Sequence, residues 1–268
     1  MRIDQLLVQR GLASTRSQAQ RLIADGAQWR KGDDWKTVVK NGDEVPEDAP
    51  VRLLNDAEAR YVSRGGLKLE AALVQAGVSV TGLACLDVGQ STGGFTDCLL
   101  QQGAAYVVGV DVRSAQLHPQ LRADPRVLCV ETVNARNLDA SDLIAASQDE
   151  SLASDHFVHQ LPEDWEPAFD LIVADLSFIS QTLVLPAVVP MLKPGGVLLT
   201  LVKPQFELQP GQVGKGGIVR DAAMYPLVEQ RIRQACADLG LLVTAWFDSA
   251  IDGGDGNREF FVCAKKPA

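Results

Sequence analysis

Leu86-Asp87-Val88-Gly89-Gln90-Ser91-Thr92-Gly93-Gly94-Phe95 is the stretch on which the reading of this chain turns. An apolar run, Leu83–Val88, ends in an acid and a glycine, and a helical pattern opens directly after it. Glycines at such a turn let the backbone approach a ligand closely, at the carboxyl edge where parallel sheets bind their ligands. The spacing is not Gly-x-Gly-x-x-Gly, and no Gly-Lys-Ser/Thr follows, which argues against a dinucleotide fingerprint and a phosphate loop. A carboxylate at Asp87 suits a cationic ligand better than a pyrophosphate. About twenty residues on, the second strand ends in Asp111, where an acid can accept bonds from both hydroxyls of a ribose. Glycine loop and strand-end acid together predict an adenosine-containing cofactor that carries positive charge, S-adenosylmethionine.

Outward from this stretch, apolar β-rich runs recur at Leu83–Val88, Ala105–Val110, Val127–Val130, Leu171–Ala174, Gly196–Val202, Leu241–Phe247 and Glu259–Ala264. Helical stretches at Gly93–Gln102, Ile179–Met191 and Ala222–Leu239 separate most of them. The alternation predicts an α/β, Rossmann-like domain with a mostly parallel seven-stranded sheet, its last strand antiparallel in a hairpin. On this reading Asp175 ends the fourth strand and Lys203 the fifth, on the same sheet edge as the glycine loop. A lysine closing an apolar strand is costly to bury without a carboxylate partner. Glu259 opens the last strand, and Lys68 lies on the helix before the first. Singly, each reads as a surface charge; their joint placement is what points to a site.

The chain before this domain differs. Residues 1–55 predict a small α+β module: two helices, the first closed by Gly11 and the second capped by Ser14 or Thr15, then three short strands. Residues 56–64 read as a linker, and 65–268 as the α/β domain. The 268 residues carry a formal net charge of -9, which by itself argues against nucleic acid as a partner. That sum hides an asymmetry, because residues 1–40 hold 8 basic against 4 acidic side chains. Arg16, Arg21 and Lys31 are therefore the candidates for holding a polyanion, against the competing reading of a solvated helical face.

Composition excludes other classes. Hydrophobic residues at 46% and charged residues at 22% are those of a globular chain. No apolar run approaches a membrane span, and the N-terminus does not read as a secretory signal, so a cytoplasmic protein is expected. Five scattered cysteines without a Cys-x-x-Cys pair predict reduced thiols and no metal site. The stretch 139–170 holds nine acidic residues, no Lys or Arg, and His156 and His159, and reads as a helix end followed by an acidic loop.

Six motifs carry a resemblance. Tyr61 to Leu69, Asp87 to Phe95, Asp175 to Ser180, Lys203 to Glu207, Val213 to Gly217 and Gly256 to Glu259, in this order, resemble the TlyA/hemolysin A family of ribosomal RNA 2′-O-methyltransferases, related to the FtsJ/RrmJ group. The N-terminal module resembles the S-four-type RNA-binding domain. The resemblance implies a catalytic Lys68, Asp175, Lys203 and Glu259. It implies a cofactor set of Asp87, Gly89, Ser91, Gly93, Gly94, Phe95, Asp111, Asn134 and Asp175, and RNA contacts from Arg16, Arg21, Lys31, Arg64 and Lys215. Gln90 and Arg113-Ser114 depart from the family pattern. Under this reading Lys203 stabilises the developing alkoxide of a ribose or, unprotonated, accepts its proton, with ribosomal RNA as the partner. A non-catalytic ribosome-assembly factor and a membrane-active cytolysin are the alternatives.

Overall fold

A computed structural model describes residues 1–13, 15–54, 60–149 and 165–268. Ser14, Asn55, residues 56–59 of the expected linker, and the acidic stretch from 150 to 164 with both of its histidines lie outside the described residues. The chain divides into two compact units, Met1–Leu67 and Lys68–Ala268.

In the first unit, helix α1 (Ile3–Gln9) and helix α2 (Arg16–Ala24) precede the strands β1 (Ala27–Lys31), β2 (Asp34–Thr37) and β3 (Val51–Leu53). Thr15 caps α2 by accepting from the Gln18 N–H, 3.2 Å. Ile3, Leu6, Leu7, Leu22 and Ile23 bury the facing sides of the two helices. β1 lies between β2 and β3, antiparallel to both. Within this core Asp4 is fully buried, and Arg2 (3.0 Å) and Arg16 (2.8 Å) both donate to it. The Arg2 guanidinium, against the opposing effect of burial and with help from Arg16, holds its carboxyl well below the usual range. The linker reading changes at Tyr61, which is buried and whose carbonyl accepts from Gln18 Nε2, 3.0 Å.

The second unit is built on seven strands: β4 (Ala84–Val88), β5 (Tyr106–Val110), β6 (Val127–Val130), β7 (Phe169–Asp175), β8 (Leu192–Val202), β9 (Leu242–Asp248) and β10 (Phe260–Lys265). Their order is β6-β5-β4-β7-β8-β10-β9, parallel from β6 to β8, with β10 antiparallel between β8 and β9. All five residues of β4 are buried, as a strand covered on both faces requires. β5 and β6 extend from one side of β4, β7 and β8 from the other. The chain thus reverses direction between β4 and β7, and the crevice outside their carboxyl ends is where open α/β sheets bind ligands. Helix α3 (Arg64–Ala76) precedes the sheet, α4 (Gly94–Gln101) follows β4, and α5 (Pro119–Arg122) and α6 (Ala140–Ser147) flank β6.

The expected helix 179–191 is instead three short pieces, Gln181–Leu183, Leu185–Val188 and Val189–Met191. Pro186 and Pro190 supply no N–H to a continuous ladder, so each restarts the chain at a helix N-terminus. Among the described residues no helix is long and apolar enough to cross a membrane.

Candidate active site

Two loops meet at the reversal. Gly89, after β4, has φ +85°, and a Cβ there would stand 2.7 Å from the carbonyl oxygen of Asp175, the last residue of β7. Only glycine permits that approach. Beside it opens a cavity of about 380 Å³, within the range of small-molecule sites. Gly89, Ser91, Asp111, Asn134 and Asp175 stand on its wall, with apolar cover from Val112, Val133, Leu176 and Ile179.

Asp111 is aimed by backbone: Ser91 N–H donates to its Oδ2 (2.7 Å) and Arg113 N–H to its Oδ1 (2.8 Å). Ser91 reaches this position at φ 50°, an uncommon conformation for a side-chain-bearing residue. Each carboxylate oxygen keeps a further lone pair, the requirement for gripping a vicinal diol. A glycine-floored cleft with a fixed acid and apolar walls fits an adenosyl group.

Four expected cofactor residues are not on this wall. Asp87 is fully buried, its Oδ2 accepting from Thr96 Oγ1 (2.7 Å) and its Oδ1 without a hydrogen-bond partner among the described residues. Burial pushes its carboxyl up to about 7, against the pull of the Thr96 hydrogen bond. Gly93 makes room for packing, since a Cβ there would lie 2.3 Å from Leu121 and 2.7 Å from Leu117. Gly94 and Phe95 are buried at the start of α4. These residues shape the loop from behind. Gln90 belongs with them: its amide donates to Thr96 Oγ1 (2.9 Å) and fills the space that a Cβ at Gly109 would occupy.

The four polar residues expected at the reacting centre come together as two ion pairs. Lys203 Nζ lies 2.5 Å from Asp175 Oδ1, and Lys68 Nζ lies 2.5 Å from Glu259 Oε2. β7 and β8 run parallel with Asp175 opposite Leu201, which brings the two strand ends side by side. Lys203 also donates to Ser177 Oγ, 3.1 Å. Burial raises the Glu259 carboxyl above its ordinary value, opposed by Lys68 and, farther away, by Lys203, while Asp175 adds to the rise. Glu259 thus feels the charges of both ion pairs.

Sequence reading missed the groups that hold the Asp175 loop. Glu207, buried, accepts from Ser180 Oγ (2.5 Å) and from Gln181 N–H (2.8 Å). Gln181 in turn donates to Leu201 O (2.6 Å) and accepts from Thr200 Oγ1 (2.6 Å), stitching the loop to the end of β8. It also missed Phe178, 81% exposed at φ 65°, its ring 5.1 Å from that of Phe206 and tilted 47° to it. An exposed aromatic at a cavity rim is visible only once the fold shows which face it occupies. Of the expected RNA contacts, Lys31 and Lys215 are exposed and Arg64 is half-buried at the start of α3. Arg16, 51% exposed, is tied to Asp4, so part of its guanidinium serves the core of its own unit.

The fold and the site define a Rossmann-like methyltransferase. Residues 61–266 match the FtsJ-like methyltransferase model and residues 1–27 the S4 domain model. The chain is 39% identical to the 16S/23S rRNA (cytidine-2′-O)-methyltransferase TlyA of Mycobacterium tuberculosis, over 97% of this chain and 88% of that one. It is 34% identical to Hemolysin A of Brachyspira hyodysenteriae, over 98% of each. A solved chain from Streptococcus thermophilus, described as a hemolysin, superposes with a TM-score of 0.71 at 35% identity, covering 100% of this chain and 88% of that one. The chain belongs to the FtsJ-like methyltransferase family, within its TlyA/hemolysin A branch.

Proposed function

We propose that the two ion pairs are the catalytic centre of an S-adenosylmethionine-dependent methyltransferase acting on a ribose 2′-hydroxyl of ribosomal RNA, in the cytoplasm. Residues 1–55 hold the RNA, 56–64 connect, and 65–268 carry the chemistry. The observation that supports this most is the Lys203–Asp175 pair standing at the rim of the cavity whose wall carries Gly89 and Asp111.

When bound, the cofactor supplies an electrophilic methyl group on a sulfonium. Gly89 and Asp111 hold its adenosyl part, and Asn134 offers an amide at the far wall. A ribose hydroxyl is a poor nucleophile at neutral pH, so its oxygen needs help as charge develops. Asp175 and Ser177 aim the Lys203 ammonium, which donates to that oxygen as its proton leaves to solvent. The Lys68–Glu259 pair fixes the local potential from behind. Holding the oxygen in line with the methyl group contributes as much as any single charge. The exposed Phe178 ring offers a face for the target base.

The test is transfer of tritium from labelled S-adenosylmethionine to ribosomal RNA, followed by mapping of 2′-O-methyl positions with and without the protein. Label appearing on a base, or none with any ribosomal RNA or subunit, overturns the assignment. Unchanged activity in Lys203→Ala overturns the role of Lys203.

A further inference from the structure

The turn from Gly253 to Glu259 carries Glu259 into the site, and two of its side chains have no part in the mechanism above. Asn257 is 2% exposed and uses its whole amide. Its Oδ1 accepts from Val219 N–H (2.9 Å), and its Nδ2 donates to Gly217 O (2.9 Å) and to Asp255 Oδ2 (2.8 Å). Its backbone N–H donates to Asp255 Oδ1 (3.0 Å), and its carbonyl accepts from Gly253 N–H (2.8 Å). Asp255 Oδ2 also accepts from Gln205 Nε2, 3.1 Å, in the segment just after Lys203. The turn closes directly on the catalytic acid: a Cβ at Gly253 would stand 2.8 Å from Glu259 Oε1.

We propose that Asp255 and Asn257 are positioning residues for methyl transfer, a clasp that holds the Glu259 turn against the segment after Lys203 on one side and against Gly217–Val219 on the other. The inference rests on the catalytic reading of the two ion pairs. Gly253, Gly254 and Gly256 leave this turn with more backbone freedom than a catalytic carboxylate tolerates, and the clasp removes it. Through Gln205 it links the ends of both ion pairs. Through Gly217 and Val219 the same amide anchors the loop that bears Lys215. Neither residue touches substrate; they act through Glu259 and Lys203.

Asn257→Asp keeps the acceptor to Val219, removes both donors and sets a carboxylate against Asp255. In the full chain, single-turnover methyl transfer to ribosomal RNA is measured at saturating cofactor and RNA, well below the variant's melting temperature. The expected result is a rate lowered roughly a hundredfold at saturating RNA, with cofactor affinity little changed. Lowering the pH recovers part of that loss relative to wild type, because a proton shared between the two carboxylates restores a donor at position 257. Gly253→Ala, whose Cβ would stand 2.7 Å from Asp255 Oδ1 and 2.8 Å from Glu259 Oε1, presses on the clasp and on the acid together without removing a hydrogen-bonding side chain; it lowers the same rate and carries the test if Asn257→Asp does not fold. A wild-type rate in either folded variant, or a loss that follows melting temperature and ignores pH, overturns the clasp. A wild-type chain that transfers no methyl group overturns the catalytic reading beneath it as well, so the two failures are distinguishable.

Discussion

Two lysine–carboxylate pairs stand at one end of the same sheet and differ in how much water they meet. In the Lys68–Glu259 pair the side chains are 8% and 3% exposed; in the Lys203–Asp175 pair they are 13% and 27% exposed. The closed pair is costly to desolvate and costlier to break, because removing one partner strands a buried charge. The open pair stands at the cavity, and on the proposed mechanism it keeps one side for a substrate oxygen. On that proposal the same chemistry serves as a fixture in one place and as a tool in the other, and exposure decides which.

The comparison breaks first on activity and stability measured together. Lys203→Ala is expected to lower the rate of methyl transfer by about 10²- to 10³-fold while the denaturation midpoint hardly moves. Lys68→Met is expected to cost about 3–5 kcal/mol of stability by urea unfolding, and Lys68→Met with Glu259→Leu to recover most of it. If both lysines cost the same stability, the distinction between the pairs is wrong.

Asp87 sharpens the contrast, as a buried carboxylate that lacks the cation Glu259 has. Its carboxyl, pushed from 3.8 up to about 7, binds a proton more readily in the folded than in the unfolded chain. Stability from this group is therefore full below pH about 4 and is lost as pH rises toward about 7. Asp87→Asn is expected to flatten that part of the denaturation-versus-pH curve, by a few kcal/mol at most. An unchanged slope in the variant means that Asp87 carries its charge without penalty.

Smaller effects belong to the open side. Phe178→Ala should leave stability within about 0.5 kcal/mol. The same change should raise the KM for RNA about tenfold, the worth of one stacked base. Lys215→Gln should weaken RNA capture uniformly and reduce its salt slope by about one. A salt slope that does not change removes Lys215 from the interface.

Much of this was legible beforehand. Periodicity over 83–88, 127–130 and 196–202 marked buried strands, and the alternation with helices marked a parallel sheet, because burial on two faces leaves a local signature. Asp175 and Lys203 were legible as strand-end charges for the same reason. The helix expected over 179–191 failed because apolar spacing cannot outweigh two prolines.

What this sequence determined alone was the order of strands and helices, the glycine turn and the chemical types available at each strand end, all set by neighbours along the chain. Tertiary structure decided which of those groups face one another. Lys68 and Glu259 meet across 191 residues, a contact no local spacing encodes. It also turned Asp87 and Phe95 into the protein and set Gly93 and Gly94 among packed neighbours, since what a loop residue faces depends on what packs against its loop. Asn257 and Asp255 were two letters of a turn until the fold brought Val219, Gly217 and Gln205 to within hydrogen-bond reach.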